Sequence, residues 1–194
     1  MAAVLASILS ALTGRPVDAE RWADAVDRWQ YGDPAQPGDP STQAWTALLR
    51  AILCRRGIGQ MRADADEAVR RFAEQNIPAA NAVLVQGIAR VVAGDLDGGD
   101  ASLADAASVA EQAGQAEEMA MALCERALLS IARRDWDQAE VLAGQARTAL
   151  NRARLQEGYV TPLVCAVHAR AALHRGNLPA AHRSLLALNG CDPC

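Results

Sequence analysis

The chain has 194 residues, of which 51% are hydrophobic, 4% aromatic and 22% charged, with a net charge of −4. Alanine, the strongest helix former, is abundant, whereas the β-branched and aromatic residues that strands favour are scarce. This composition predicts an all-α protein and argues against sandwiches, barrels and β-rich enzymes. All 19 basic residues are arginine, which excludes a Walker A phosphate loop and a Schiff-base lysine. No basic stripe indicates direct binding of nucleic acid.

Helical segments follow one another along the chain in five pairs. The first helix of each pair is predicted at 2–13, 42–56, 79–93, 115–133 and 162–174. The second is predicted at 18–30, 60–75, 97–113, 137–154 and 179–188. The Gly- and Pro-rich stretch 32–40 is the longest predicted linker. We expect one repeat domain over 1–188, because a helical hairpin is stable only when neighbours stack on it, and a disordered tail at 189–194.

The opening stretch 1–12 is apolar enough to resemble the core of a signal peptide. It lacks a basic start, since the first arginine is Arg15. It is also too short to span a bilayer. We therefore interpret it as a first buried helix, and no later segment is predicted to cross a membrane.

A turn phrase marks the junction within each pair. It begins at Gly14, Gly94, Arg134 and Gly176, with spacings of 80, 40 and 42 residues. A missing copy is therefore expected near position 54, where Gly57 and Gly59 lie. Glycine suits such a turn because it tolerates a positive φ. The next helix needs a cap, which Asp135 or Asp137, with Glu140 as a capping-box partner, and Asn177, ahead of Pro179, are expected to supply.

Two columns of small residues share this register. Seven residues before each turn start stand Ser7, Ala47, Gly87, Ala127 and Ala169. Five residues after it stand Ala19, Gly59, Gly99, Ala139 and Ala181. Small side chains at a helix crossing let two backbones approach to roughly 8–9 Å. The columns therefore predict a right-handed α-α solenoid of about five helical hairpins.

These residues resemble tetratricopeptide repeats, and the longer period resembles the sensor region of MalT-like, LuxR-type transcription regulators. The similarity is strongest in 125–140 and 166–181, and 19–29 resembles an early repeat of that family. The resemblance implies an effector-binding helical-repeat region. The family's nucleotide-binding switch and helix-turn-helix DNA reader have no counterpart in this sequence, so neither ATP hydrolysis nor DNA binding is carried over.

Three positions of each first helix, ten, six and three before the turn start, are expected to face the inner groove of such an array. In the middle and last repeats they are Leu84, Ile88, Val91, Cys124, Leu128, Ile131, Ala166, Arg170 and Leu173. Their apolar character has two interpretations: burial between hairpins, or a groove for an apolar ligand or partner helix. We select as groove residues Leu84, Ile88, Leu128, Ile131 and Arg170. Arg170 would meet an anionic group.

The cysteines offer one alternative chemistry. Cys165 and His168, with Cys191 and Cys194, have spacings found in zinc sites. A core thiol and a frayed tail explain the same residues, so we predict no metal and no cofactor. The odd number of cysteines in a chain long enough to build its own core predicts a reducing cytoplasm.

The sequence as a whole predicts a non-catalytic sensor or interaction module. Its inner groove would hold a protein partner or a small effector. The alternative is a stand-alone adaptor that binds a protein or a second copy of itself.

Overall fold

A computed structural model describes residues 1–32 (backbone alone from 29), 39–155 and 157–186. The described residues form ten α-helices and no strand, which confirms the all-α prediction. The helices are α1 (Ala2–Leu12), α2 (Pro16–Gly32), α3 (Pro40–Leu53), α4 (Ile58–Glu74), α5 (Ala80–Val92), α6 (Leu96–Gln112), α7 (Ala116–Ala132), α8 (Trp136–Ala153), α9 (Thr161–His174) and α10 (Leu178–Leu186). No helix of these ranges is both long and apolar enough to cross a bilayer.

The turn starts adopt the left-handed conformation that the sequence predicts. The backbone φ is +70° at Gly14, +91° at Gly94 and +69° at Gly176. Arg134 has φ +61°, and the missing copy is Cys54 itself, with φ +48°. Except at Cys54, the next residue's N–H donates to the carbonyl five positions earlier, at 2.8–2.9 Å. This Schellman pattern satisfies carbonyls that the helix end leaves free.

Two of the predicted caps are confirmed. The Asp135 side chain accepts from the N–H of Gln138 at 3.1 Å. The Asn177 side chain accepts from the N–H of Ala180 at the same distance. Glu140 instead lies 3.1 Å from Arg175 in an ion pair.

The turn between α3 and α4 corrects the repeat register. It contains four residues, 54–57, whereas the corresponding turns before α2, α6, α8 and α10 contain three. The fourth residue of each second helix is Ala19, Met61, Gly99, Ala139 or Ala181. The predicted column is therefore wrong at Gly59, which is exposed and has open space where a Cβ would stand. Met61 takes the crossing position instead, because α4 starts four residues after Cys54, whereas the other second helices start two residues after their turn start.

The column before the turns is buried throughout: Ser7 (0% exposed), Ala47 (6%), Gly87, Ala127 (0%) and Ala169 (3%). The hydroxyl of Ser7 donates to the carbonyl of Ala19 at 2.7 Å. This bond joins one column to the other and demonstrates the close approach of α1 and α2.

The chain divides into two compact units, Met1–Asp95 and Leu96–Cys194. In the first unit, neighbouring helices pack in sequence as α1 with α2, α3 with α4, and α4 with α5; α3 also packs on α1 and α5. In the second unit, α6 to α10 pack each on the next, and α7 also packs on α9. The third predicted pair is divided by the boundary, so the single domain over 1–188 stays a prediction.

Large side chains fill the first unit. Phe72 is 2% exposed, and its ring meets that of Trp45 edge-on, with centroids 5.2 Å apart. Leu48 belongs to the same cluster, and Leu49 packs with Val4 of α1 in a second one. Such pairs bury large apolar areas at the crossing of α3 and α4.

Alanine and larger aliphatic residues share the core of the second unit. Its fully buried alanines are Ala110, Ala120, Ala122, Ala127, Ala139, Ala143 and Ala146. Its larger buried side chains include Leu103, Leu129, Ile131, Leu142, Leu150 and Val167. The first unit also has fully buried alanines, among them Ala51 and Ala89. Because alanine contributes little volume, both cores depend on close approach of their helices.

Some predictions fall on residues that the structure does not describe. Most of the 32–40 linker and the whole of the 189–194 tail lie outside the described residues. At the linker's edges, Gly32 still ends α2 and Pro40 already starts α3. Proline suits that place because the first helical turn needs no N–H from it.

Candidate functional site

The five residues selected for the inner groove differ in exposure. Leu84 is 4% and Ile131 7% exposed, so these two offer almost no surface to a ligand. Ile88 and Leu128 are half-buried, and Arg170 is exposed. Leu84 and Ile88 belong to the first unit and the other three to the second. None of the five lines the groove or the clefts described next.

A wide groove with a volume of about 1000 Å³ lies within the second unit. Residues of α6 and α8 form its walls, and Met119 and Leu123 of α7 line it between them. Its wall residues include Ala104, Ala107, Ser108, Glu111, Val141, Gly144, Arg147, Thr148 and Arg152. We call this space the α6–α8 groove.

The walls of the α6–α8 groove are made chiefly of small residues. A Cβ placed on Gly144 would meet nothing within 4 Å. The Thr148 hydroxyl donates to the carbonyl of Gly144 at 2.8 Å. Its hydrogen bond therefore lies within its own helix and not across the groove. Val141 is 53% exposed. A folded chain that leaves such an apolar side chain beside an open groove offers a surface for a partner.

Basic side chains dominate the charge of the groove. Arg147 and Arg152 line it, against the single acid Glu111. Neither arginine forms an ion pair with a carboxylate of the described residues. Arginine without a partner is well suited to a carboxylate on an incoming group.

The first unit has a cavity of about 30 Å³ beside its α3–α4 turn, lined by α2, α3 and α4. Arg55 donates to Asp24 at 2.9 Å and to Asp27 at 3.3 Å across it. Met61 also lines it, where α8 has Ala139.

The α6–α8 groove lies at the other end of the repeat, between the α6–α7 turn and the later turns of α8. Counted from the start of each second helix, Asp24 and Asp27 of α2 correspond to Ala104 and Ala107 of α6, and both alanines line the groove. Arginines pair with acids near the α7–α8 turn as well, where Arg133 lies 2.6 Å from Asp97. The small side chains of α6 and α8 therefore leave the groove open at the end of the repeat that faces away from this turn.

A smaller cleft of about 360 Å³ lies between α8, α9 and α10. Arg147 and Arg183 line it together with His168, whose Nδ1 lies 3.0 Å from the Ser184 hydroxyl. Burial and then the charge of Arg147 lower the pKa of His168. The imidazole is therefore neutral at pH 7, and the positive charge of the cleft comes from the arginines.

The thiols are not activated. Burial raises the pKa of Cys124 to about 12, and burial also raises the pKa of Cys165. Both thiols stay protonated at neutral pH, whereas nucleophiles and metal ligands are thiolates. Among the described residues, no three His, Cys, Asp or Glu side chains gather as a metal site would require. Cys191 and Cys194 lie outside those residues.

The tryptophan side chains that the structure describes differ in their contacts and exposure. Trp136 stacks on His174, with ring centroids 3.7 Å apart and planes 8° from parallel. Trp45 is half-buried against Phe72, and Trp22 is 41% exposed. None of these three lines the α6–α8 groove.

Comparison of this chain with protein-family models, with curated proteins and with solved structures finds no match. The α6–α8 groove is therefore assigned from its own geometry. The sequence contains a signal for it, because Ala104 and Gly144 are 40 residues apart and occupy the same repeat position. The apolar pattern of the first helices, which predicted the binding surface there, is stronger in the sequence than this small-residue signal.

Proposed function

We propose that this chain is a non-catalytic interaction module that binds a helical segment of a protein partner in the α6–α8 groove. The observation that supports the proposal is the open groove of about 1000 Å³, which has small residues on both walls, Ala104 on α6 and Gly144 on α8. An amphipathic helix lays its apolar face into such a groove.

The chemistry of the groove specifies the partner helix. Small wall residues allow the backbone of a third helix to come close. The half-buried Met119 and the exposed Val141 offer apolar contacts for leucine-sized anchors at i, i+4 and i+7. Arg147 and Arg152 favour glutamate or aspartate beside those anchors. The partner is thus an acidic amphipathic helix.

The wider architecture is part of this proposal. We infer that the helix pairs are tetratricopeptide-like hairpins of a right-handed solenoid. In support, left-handed turn residues recur every 40 to 42 positions, and first helices pack on first helices within each unit. The resemblance to the sensor region of MalT-like, LuxR-type regulators supports a sensor role. Free thiols at Cys54, Cys124 and Cys165 support a reducing, cytoplasmic location.

Fluorescence anisotropy with a labelled synthetic peptide tests the groove. The probe is an amphipathic helix of about 15 residues, near the shortest length that is helical in water, with leucine anchors and flanking glutamates. Gly144→Phe fills the groove, and we expect it to weaken binding about tenfold or more, equivalent to at least ~1.4 kcal/mol. Gly59→Phe is the matched control, since Gly59 is also helical, has open space around it and lies outside the groove.

The results of this experiment either support or contradict binding in the α6–α8 groove. Loss of binding in Gly144→Phe alone, with weaker binding when lysines replace the probe's glutamates, supports the proposal. Equal affinity of the two phenylalanine variants contradicts it, as does the absence of saturable binding by the unsubstituted chain.

A second candidate function is recognition of a small anionic effector. The cleft of about 360 Å³ supports it, because Arg147 and Arg183 flank a volume within the range of small-molecule sites. A thermal-shift series of sugar phosphates and dicarboxylates tests it. A ligand that binds there raises the melting temperature by mass action, and Arg183→Ala abolishes the rise. If no compound stabilises the chain, this second function is excluded for these ligand classes.

A further inference from the structure

The first helix has a second apolar face. Leu5, Leu9 and Leu12 are 45%, 58% and 39% exposed. Together with exposed Ala2 they follow the spacing 3-4-3 along α1. This is the a/d spacing of a coiled-coil seam, which repeats every 3.5 residues on average. We call Ala2, Leu5, Leu9 and Leu12 the α1 seam.

The unit does not need the α1 seam for its own core. The opposite side of α1 already packs inward, where Val4 and Ile8 are buried with Ala23, Val26 and Leu49. A helix that is apolar on both sides is normally covered on both sides. Leucine at three successive seam positions is therefore a surface for a second helix rather than scattered surface hydrophobicity.

The absence of charged residues from α1 indicates which helix can cover the α1 seam. Among the described helices, α1 is the only one without an Asp, Glu or Arg. A partner with charges facing the α1 seam would have to desolvate them without compensation. The exposed leucines of α10, Leu178 and Leu185, are accompanied by His182 and Arg183. Among the described helices, the one that matches the uncharged α1 seam is therefore α1 of a second copy of this chain.

We propose that the α1 seam packs against the α1 seam of a second copy, so that two chains associate about a two-fold axis. The same patch then serves both protomers, which closes the assembly at two copies. This contact is independent of the α6–α8 groove, which lies wholly in the other unit. The dimer is held by apolar burial without ion pairs, so it persists at high salt.

Light scattering of the full chain after size exclusion tests the seam. We expect a mass twice the protomer's 20.5 kDa in both low and high salt. Leu9→Glu places two carboxylates in the apolar contact and is expected to give a monomer. The helix signal in circular dichroism should be unchanged, because Leu9 is solvent-facing in the protomer. Leu178→Glu, on a leucine that is 65% exposed, is the matched control and stays dimeric.

Mixing two variants gives a second readout. Leu9→Glu and Leu9→Lys copies should each be monomeric alone and should associate when combined, since opposite charges then meet across the seam. If Leu9→Glu loses helix signal, Leu9→Ser replaces it and is again expected to be monomeric.

Three results would overturn the proposal. The unsubstituted chain could stay monomeric at every concentration, or Leu9→Glu could remain dimeric. Loss of association in Leu178→Glu, with open-ended growth of the unsubstituted chain, would instead indicate head-to-tail contact between α1 and α10.

Discussion

The two units have open space at different ends of their helix pairs. In the first unit, Arg55 reaches Asp24 and Asp27, and Met61 lines a cavity of about 30 Å³ beside the α3–α4 turn. In the second unit, small residues of α6 and α8 line a groove of about 1000 Å³ that begins at the α6–α7 turn. A repeat can therefore keep its helices and turns while its side chains decide where space stays open. Binding surfaces in such chains arise where large filling side chains are absent.

The largest effect is expected at the aromatic pair of the first unit. Phe72→Ala removes a side chain that is 2% exposed and meets the Trp45 ring edge-on. We expect a loss of about 3–5 kcal/mol in the free energy of unfolding, measured with urea. Val141→Ala, on the groove wall, should change it by less than about 0.5 kcal/mol, as is usual for surface positions. Similar losses in the free energy of unfolding in both variants would contradict the distinction between a filled core and an open groove.

Overpacking tests the tight approach of helices in the second unit. Ala127 is fully buried in α7, and Ala127→Leu is expected to cost about 1–3 kcal/mol because the core is already close-packed. Thermal unfolding measures the loss, with Ala153→Leu at the exposed end of α8 as the control. If Ala127→Leu leaves the melting temperature unchanged, the crossing of α7 with its neighbours contains unfilled space, as the groove does.

A smaller gain is expected at the corrected repeat position. Gly59→Ala is expected to stabilise the chain by about 0.4–1 kcal/mol, because alanine restricts the unfolded chain and meets no atom within 4 Å in the folded one. Urea unfolding measures it. Alanine is compatible with both registers, since three other copies have alanine in this column. Gly59→Phe separates the registers, because overpacking at a crossing costs about 1–3 kcal/mol, whereas a change at a surface position stays within about 0.5 kcal/mol.

The contributions of two glutamates to stability should change with pH in opposite directions. Hydrogen bonding to Arg70, with Arg71 adding to it, holds the pKa of Glu67 below its ordinary value. Its contribution to stability is present above the ordinary pKa and is lost as the pH falls through the folded-state pKa. Burial raises the pKa of Glu125, so its contribution is present below the ordinary pKa and is lost as the pH rises through the folded-state value.

Matched Gln variants measure this difference. Relative to the unsubstituted chain, Glu67→Gln should lose stability more at pH 7 than at pH 4. Glu125→Gln should be relatively more stable at pH 7 than at pH 4. Unfolding curves at the two pH values are the readout, and shifts of the same sign in both variants would contradict the assigned environments.

The sequence by itself determined the helices and their turns. Alanine-rich segments, glycines at 14, 94 and 176, and the caps at Asp135 and Asn177 act within a few residues, so local chemistry predicts them. The buried column from Ser7 to Ala169 is likewise a local pattern repeated.

Only the tertiary structure decided which positions are filled. The start of α4, two residues later than the repeat predicts, places Met61 where the sequence assigned Gly59. The binding surface was expected on Leu84, Ile88, Leu128, Ile131 and Arg170, yet the open space lies between second helices, and Leu84 and Ile131 are buried. Whether a space is groove or core depends on the summed volumes and charges of side chains from three helices, and no single segment of sequence contains that sum.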